Sequence, residues 1–218
     1  MKITWYGHAA FLIETNGTRI IHDPYKSPDC GSYAPIEDEA DILVLSHDNE
    51  TYHSCRSQVS GSPVEVHGEA IYWYPETVNG ITFTSYEVYE NDQSEGPNYM
   101  MTYEVEGLRI SHLGDLGHPL NPFQMAGIRG TDILLALAGG PPTIKVDDLN
   151  DLVEELQPKI TIPMHFKNEK IKLDIRPVED YLDLHSEDQY ERIGAATIEV
   201  AKENIGDYRP IVVLDPAR

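Results

Sequence analysis

Short apolar runs alternate with polar or turn residues along this chain, and the period of each run decides the element it predicts. Residues 2–6, 9–14 and 18–22 predict strands, with Gly7 at the first turn and Asp23-Pro24 closing the third. Ile42-Leu43-Val44-Leu45-Ser46 has no polar face, which predicts a strand buried on both sides. Further strands are predicted at 64–67, 69–74, 81–88, 99–105 and 108–112, where Asn79-Gly80 and Glu106-Gly107 supply hairpin turns. The second half changes period. Leu149, Leu152, Val153 and Leu156 recur at three and four, predicting a helix over 147–156, and residues 122–128 and 177–184 read as shorter helices. Residues 133–138, 159–163, 195–201 and 210–214 return as strands. Two stretches stay irregular: a Pro-, Gly- and acid-bearing surface loop over 26–40, and a polar loop over 47–61 with one helical turn.

Strands with helices entering in both halves predict an α/β fold in which two sheets lie between helical layers. No linker, repeat or low-complexity tract divides the 218 residues, so one domain spanning 1–218 is expected. A hydrophobic content of 40% supports a substantial core. No apolar run reaches the ~18 residues of a membrane span, and residues 1–5 lack a signal-peptide core. Cys30 and Cys55 have neither CxxC spacing nor a disulfide-rich context, and together these features favour a cytoplasmic setting.

Charge narrows the partners. Acidic residues outnumber basic ones 37 to 16, a net charge of -21, and the basic residues are scattered. Nucleic acid and anionic membranes are therefore not expected partners; a small-molecule substrate or ligand is, and a homo-oligomer is compatible with the sequence.

The chemistry concentrates where apolar strands end. The strand over 42–46 runs into His47-Asp48-Asn49-Glu50-Thr51-Tyr52-His53, and Asp115 and His165 sit at comparable ends far along the chain. A sheet edge brings such positions together. His8 is read equally as a neighbour of the reacting atoms or a core hydrogen-bonding residue. Asp23 reads as a turn residue or a support behind the site. His53 is read as an exposed loop histidine that reaches inward only if the loop shifts. His112 and His118, at odd offsets from Asp115, face away wherever the chain is extended. His22, His67 and His185 read as structural or exposed.

Trp5-Tyr6-Gly7-His8-Ala9-Ala10-Phe11, Ile21-His22-Asp23-Pro24-Tyr25, Ser111-His112-Leu113-Gly114-Asp115-Leu116-Gly117-His118, Gly139-Gly140 and Ile162-Pro163-Met164-His165-Phe166-Lys167 follow one another in an order that resembles metallo-β-lactamase-fold hydrolases, in the branch related to ascorbate-6-phosphate lactonase. The resemblance implies a four-layer αββα sandwich and hydrolysis of an ester, lactone or phosphoester. The family's first motif reads His-x-His-x-Asp-His and, with a middle and a late histidine and a bridging aspartate, holds two metal ions. Carried over, Asp115 is the bridge and His165 the late ligand. The first motif becomes His47, Asn49, Thr51 and Tyr52, and the middle histidine becomes Glu90. That substitution pattern implies one ion at most (zinc, manganese, nickel or iron) on His47, Asp115, His165 and Glu90, with Asp115, Glu90 and His8 in catalytic roles. Asn49, Thr51 and Tyr52 would then line the substrate pocket. Its alternative is a degenerate cleft that binds a ligand or partner without metal, so whether the chain is an enzyme stays open at this point.

Overall fold

The computed structural model describes residues 1–90 and 96–218. Its first sheet has the order β13-β1-β2-β3-β4-β5, built from Thr197–Glu199 (β13), Lys2–Gly7 (β1), Ala10–Thr15 (β2), Thr18–His22 (β3), Ile42–Leu45 (β4) and Val64–His67 (β5). The second has the order β12-β14-β11-β10-β9-β8-β7-β6. Its strands are Tyr190–Arg192 (β12), Ile211–Val213 (β14), Ile160–Met164 (β11), Ile133–Leu137 (β10), Leu108–His112 (β9), Pro97–Val105 (β8), Ile81–Tyr89 (β7) and Glu76–Val78 (β6). The helices are α1 (Gly68–Ile71), α2 (Pro122–Ile128), α3 (Val146–Leu156) and α4 (Glu179–Leu182).

Period-two alternation sorts the first sheet's side chains. Ile3, Trp5, Phe11, Ile13, Ile20, Ile42 and Val44 join Phe83, Met101, Tyr103, Ile110 and Leu135 of the second sheet in the core between the two. Tyr6, Ala10, Leu12, Ile21, Leu43 and Leu45 face the other way, against Tyr25, Cys30, Tyr33, Ile36 and Ala40. The layer over that outer face is thus irregular chain, not helix. Residues 26–40 are no mere surface loop: Cys30, Tyr33, Ile36 and Ala40 are buried, while Asp29, Glu37 and Glu39 stay out. The 11-residue α3 turns Leu149, Leu152 and Leu156 inward as its spacing predicts, and α2 opens with a capping box made by Asn121 and Gln124.

Two predicted elements differ. The aromatic stretch read as a strand at 69–74 is instead α1 followed by turn, with Trp73 and Tyr74 exposed. A Cβ at Gly68 would meet Tyr99 at 2.5 Å, so the chain turns there against β8. The helix read over 177–184 is regular only at Glu179–Leu182. β6 and β12, three residues each, were too short to show a period.

Strand direction positions the site. β3, β4 and β5 run parallel, as do β9, β10 and β11, so each group ends along one edge of its sheet. Phe11 pairs with His22, which puts the tip of the antiparallel β1–β2 hairpin beside the end of β3. The tip carries His8. Loops after parallel strands are the usual place for chemistry in α/β sheets.

Candidate metal centre

Four strand ends and one hairpin tip meet around Asp115. Its Oδ2 lies 2.9 Å from His53 Nε2 and 3.9 Å from His47 Nε2, and its Oδ1 lies 3.8 Å from His165 Nε2. The rings of His8 and His165 are 4.4 Å apart, and His8 and His53 5.1 Å. Ligand atoms fall into two groupings, His8–His53–His165 and His47–His53–Asp115, each with its atoms within 4.8 Å of one another. All but His47 are buried.

The approach segments explain why these rings converge. His8, Asp23 and His165 adopt left-handed φ values of 51°, 40° and 52°, which sharply redirect the chain as each strand ends. Such residues cost about 1 kcal/mol or more apiece and concentrate at functional sites. The His8 carbonyl accepts from the His165 amide at 3.0 Å and from Trp5 Nε1 at 3.0 Å, tying the tip to the end of β11. Asn98 holds the Asp115 backbone on both sides, accepting its N–H at 3.0 Å and donating to its carbonyl at 3.1 Å. His112 donates from Nε2 to the Ala9 carbonyl and accepts the Gly114 amide on Nδ1, so both its nitrogens are spent on structure.

Asp23 sets the tautomers. Its Oδ1 accepts the Ser46 amide at 2.7 Å, and its Oδ2 accepts the Ser46 hydroxyl at 2.6 Å and His53 Nδ1 at 3.2 Å. Because the Ser46 hydroxyl donates to Asp23, it can only accept from His47 Nδ1, 2.9 Å away. Both imidazoles therefore carry a proton on Nδ1 and turn Nε2 towards Asp115, the nitrogen left to meet an ion. Asp23 supports the site from behind, one of the roles open to it from sequence.

Electrostatics point to a cation. Burial raises the carboxyl pKa of Asp115, but the histidines around it, His53 foremost, hold it well below the usual range. Asp23 is likewise held low against its burial by His53, His112 and Ser46. Burial lowers His8, His165 and His47, the last to about 4, so these are neutral ligands. His53 goes the other way: burial would lower it, yet Asp115 and Asp23 push it up to about 10. Two ionised carboxylates facing one imidazolium leave buried negative charge uncompensated. His8 Nδ1 and Nε2, His53 Nε2, Asp115 Oδ1 and His165 Nδ1 are buried with no hydrogen-bond partner, and His53 Nε2 nears Asp115 without the alignment of a bond. Polar atoms so orphaned are costly, and imidazole nitrogens beside a carboxylate oxygen are a donor set that would hold a divalent ion. The residues fit a metal.

The structure brings together His8, His47, Asp115 and His165 of the residues singled out from sequence. Glu90 belongs to neither ligand grouping among the described residues. Asn49 and Thr51 shape the turn: the Asn49 carbonyl accepts the amides of Tyr52, His53 and Ser54, and the Thr51 carbonyl accepts that of Lys26. Tyr52, half-buried, stacks on His8 with ring centroids 5.3 Å apart. The reading of His53 as an exposed loop residue is corrected, since it is fully buried against Asp115. Its amide bonds the Asn49 carbonyl at 2.8 Å, a helical i to i+4 contact that swings it inward. The Asn49-to-His53 spacing was the available signal, once the helical turn expected in this loop was placed there.

Comparison with known proteins agrees with this geometry. Residues 2–165 match the model of the β-lactamase superfamily domain. A UPF0173 protein of Pyrococcus furiosus is 30% identical over 181 residues, covering 76% of this chain and 83% of the relative. A UPF0173 metal-dependent hydrolase of Carboxydothermus hydrogenoformans is 29% identical over 191 residues, covering 76% and 84%. A Thermotoga maritima structure, named for a Zn-dependent hydrolase of the metallo-β-lactamase superfamily, superposes with a TM-score of 0.79 at 33% identity, covering 98% of this chain and 97% of the other. These likenesses do not favour the metal-free alternative. The chain belongs to the UPF0173 metal-dependent hydrolases of the metallo-β-lactamase superfamily.

Proposed function

We propose that the chain hydrolyses an ester, lactone or phosphoester of a small molecule with one divalent ion seated on His8, His53, His165 and Asp115. The observation that carries this reading is the pair of ligand groupings, His8–His53–His165 and His47–His53–Asp115, which share His53 and hold buried, unpartnered atoms. His53 supports single occupancy. Both groupings use it, its Nδ1 is bonded to Asp23, and its one remaining nitrogen serves one ion at a time. The reading keeps the single-ion limit expected from sequence but moves the seat: His8 and His53 enter it, Glu90 leaves, and His47 flanks it.

When bound, the ion lowers the pKa of a coordinated water towards neutrality and takes up negative charge on a substrate oxygen. The chain's own residues do the rest. His47, neutral and on the open side, has an Nε2 lone pair able to accept a proton from the attacking water. Tyr52, stacked on His8 at the rim, offers a phenol for orienting the substrate. The negative charge elsewhere disfavours polyanionic polymers as substrates. The lactonase-like motifs make phosphorylated lactones the first compounds to assay.

The test is metal analysis of tag-free protein beside His165→Ala, Asp115→Ala and His53→Ala. One tightly held ion per chain in the wild type, lost in all three variants, is expected. Protein that cannot be loaded with zinc, manganese, nickel or iron sinks the reading, and two tight ions per chain sink its single-ion part.

A further inference from the structure

The irregular layer over the first sheet reaches the metal seat through Tyr33. Gly7, immediately before His8, has φ +131°, and a Cβ built on it would lie 2.4 Å from Cε1 of Tyr33. The phenol ring of Tyr33 therefore fills the space that any other residue's side chain would need, against the backbone that presents His8. The Tyr33 hydroxyl accepts from Asn168 Nδ2 at 2.7 Å, and the His8 backbone is a further hydrogen-bonding neighbour of it. Asn168 lies three residues beyond His165, and its Oδ1 accepts the amides of Lys170 at 2.9 Å and Ile171 at 3.2 Å. The same turn is pinned from below, because the Ser32 amide donates to the Lys170 carbonyl at 2.8 Å. Tyr33 is buried and stays a neutral phenol, since burial pushes its pKa up to about 12.

We infer that Tyr33 is a positioning residue for the metal site: its ring on Gly7 and its hydroxyl on Asn168 fix the separation of His8 and His165. The inference rests on the single-ion seat proposed above. Two imidazoles on separate segments bind one ion well only if those segments hold their spacing before the ion arrives, and outer contacts of this kind typically tune metal affinity about ten-fold to a hundred-fold. The hydrogen bond between the His165 amide and the His8 carbonyl sets one point of contact. Trp5 and His112 also hold the tip, through the His8 and Ala9 carbonyls, but neither bond reaches the segment that follows His165. The Tyr33 bridge, from Gly7 to Asn168, supplies a second contact between the tip and that segment.

The experiment compares wild type, Tyr33→Phe, Asn168→Ala and the double variant. Zinc affinity is read by competition with a chelator, and the geometry of the site by the visible absorption of Co²⁺-loaded protein. Tyr33→Phe keeps the ring over Gly7, so cooperative melting of the metal-free protein is expected to survive. Zinc affinity should drop about ten-fold, the cobalt bands should shift, and the double variant should be no weaker than the worse single one. Affinity within two-fold of wild type with an unchanged cobalt spectrum overturns the inference, as do fully additive losses. Wild type that binds neither zinc nor cobalt overturns the metal reading itself, an outcome separate from a silent Tyr33→Phe.

Discussion

Asp23 lies behind the ligand shell, yet it decides which nitrogen two histidines present. Its Oδ2 accepts from His53 Nδ1 directly and from His47 through the Ser46 hydroxyl. An amide in its place could donate to His53 Nδ1, which would move the imidazole proton to Nε2 and remove the lone pair an ion needs. Asp23→Asn is nearly isosteric and leaves the Ser46 contacts possible, so the fold should persist while metal affinity drops about ten-fold to a hundred-fold. Chelator competition on folded Asp23→Asn protein checks this. Affinity equal to wild type would show that Asp23 only closes a turn, the other role its Asp-Pro context suggests. Ser46→Ala should lower metal affinity less, since it removes one bond to Asp23 and frees His47, which only flanks the seat.

At the scale of elements, what was legible in the sequence depended on whether local period or long-range contact set the structure. The 42–46 strand, the 147–156 helix and the β7–β8–β9 meander were readable because each carries its own period and turn residues. The same logic located Asp115 and His165, which end strands. It failed where a turn sets the geometry: the motif positions ended at Tyr52 and left His53 outside the site, whereas a single helical turn from Asn49 brings it in. Glu90 rested on alignment to a motif position, which fixes no distance, and it joins neither ligand grouping among the described residues. Tyr33 and the buried layer around it carried no periodic signal at all, being held by contacts to residues 168–171, far along the chain. Close packing between elements gives a further test. A Cβ at Gly139, just past β10, would lie 2.1 Å from the His165 carbonyl oxygen, an atom of the backbone that cannot rotate away. Gly139→Ala should therefore push β11's end outward, lowering stability by about 1–3 kcal/mol and zinc affinity with it. Thermal melting and chelator competition on that variant report the two effects separately, and unchanged zinc affinity would mean the backbone yields elsewhere.

The whole molecule carries a net charge of -21, so mild acidification relieves repulsion among its surface carboxylates. Carboxylates held low by their partners work against that trend, Asp38 among them. Asp38 joins distant parts of the chain: it accepts from the Tyr6 hydroxyl at 2.8 Å, pairs with Arg19 at 3.4 Å and binds the Arg218 guanidinium. Burial raises its pKa, but the Tyr6 hydroxyl and the Arg218 and Arg19 charges outweigh burial and hold it below the usual range. A carboxyl whose pKa is depressed on folding stabilises above its unfolded value, near 3.9, and loses that contribution as pH falls through the folded value. Partial exposure screens the pairs, so the contribution at neutral pH is about 1 kcal/mol. Asp38→Asn should melt a few degrees below wild type at about pH 7. The two melting curves should then draw together below about pH 4, where wild-type Asp38 takes up its proton. Thermal melting of both proteins across that range, at constant ionic strength, is the measurement. A gap that stays constant into acid would mean that Asp38 acts through packing, and that its charge does not join the first and third strands to Arg218.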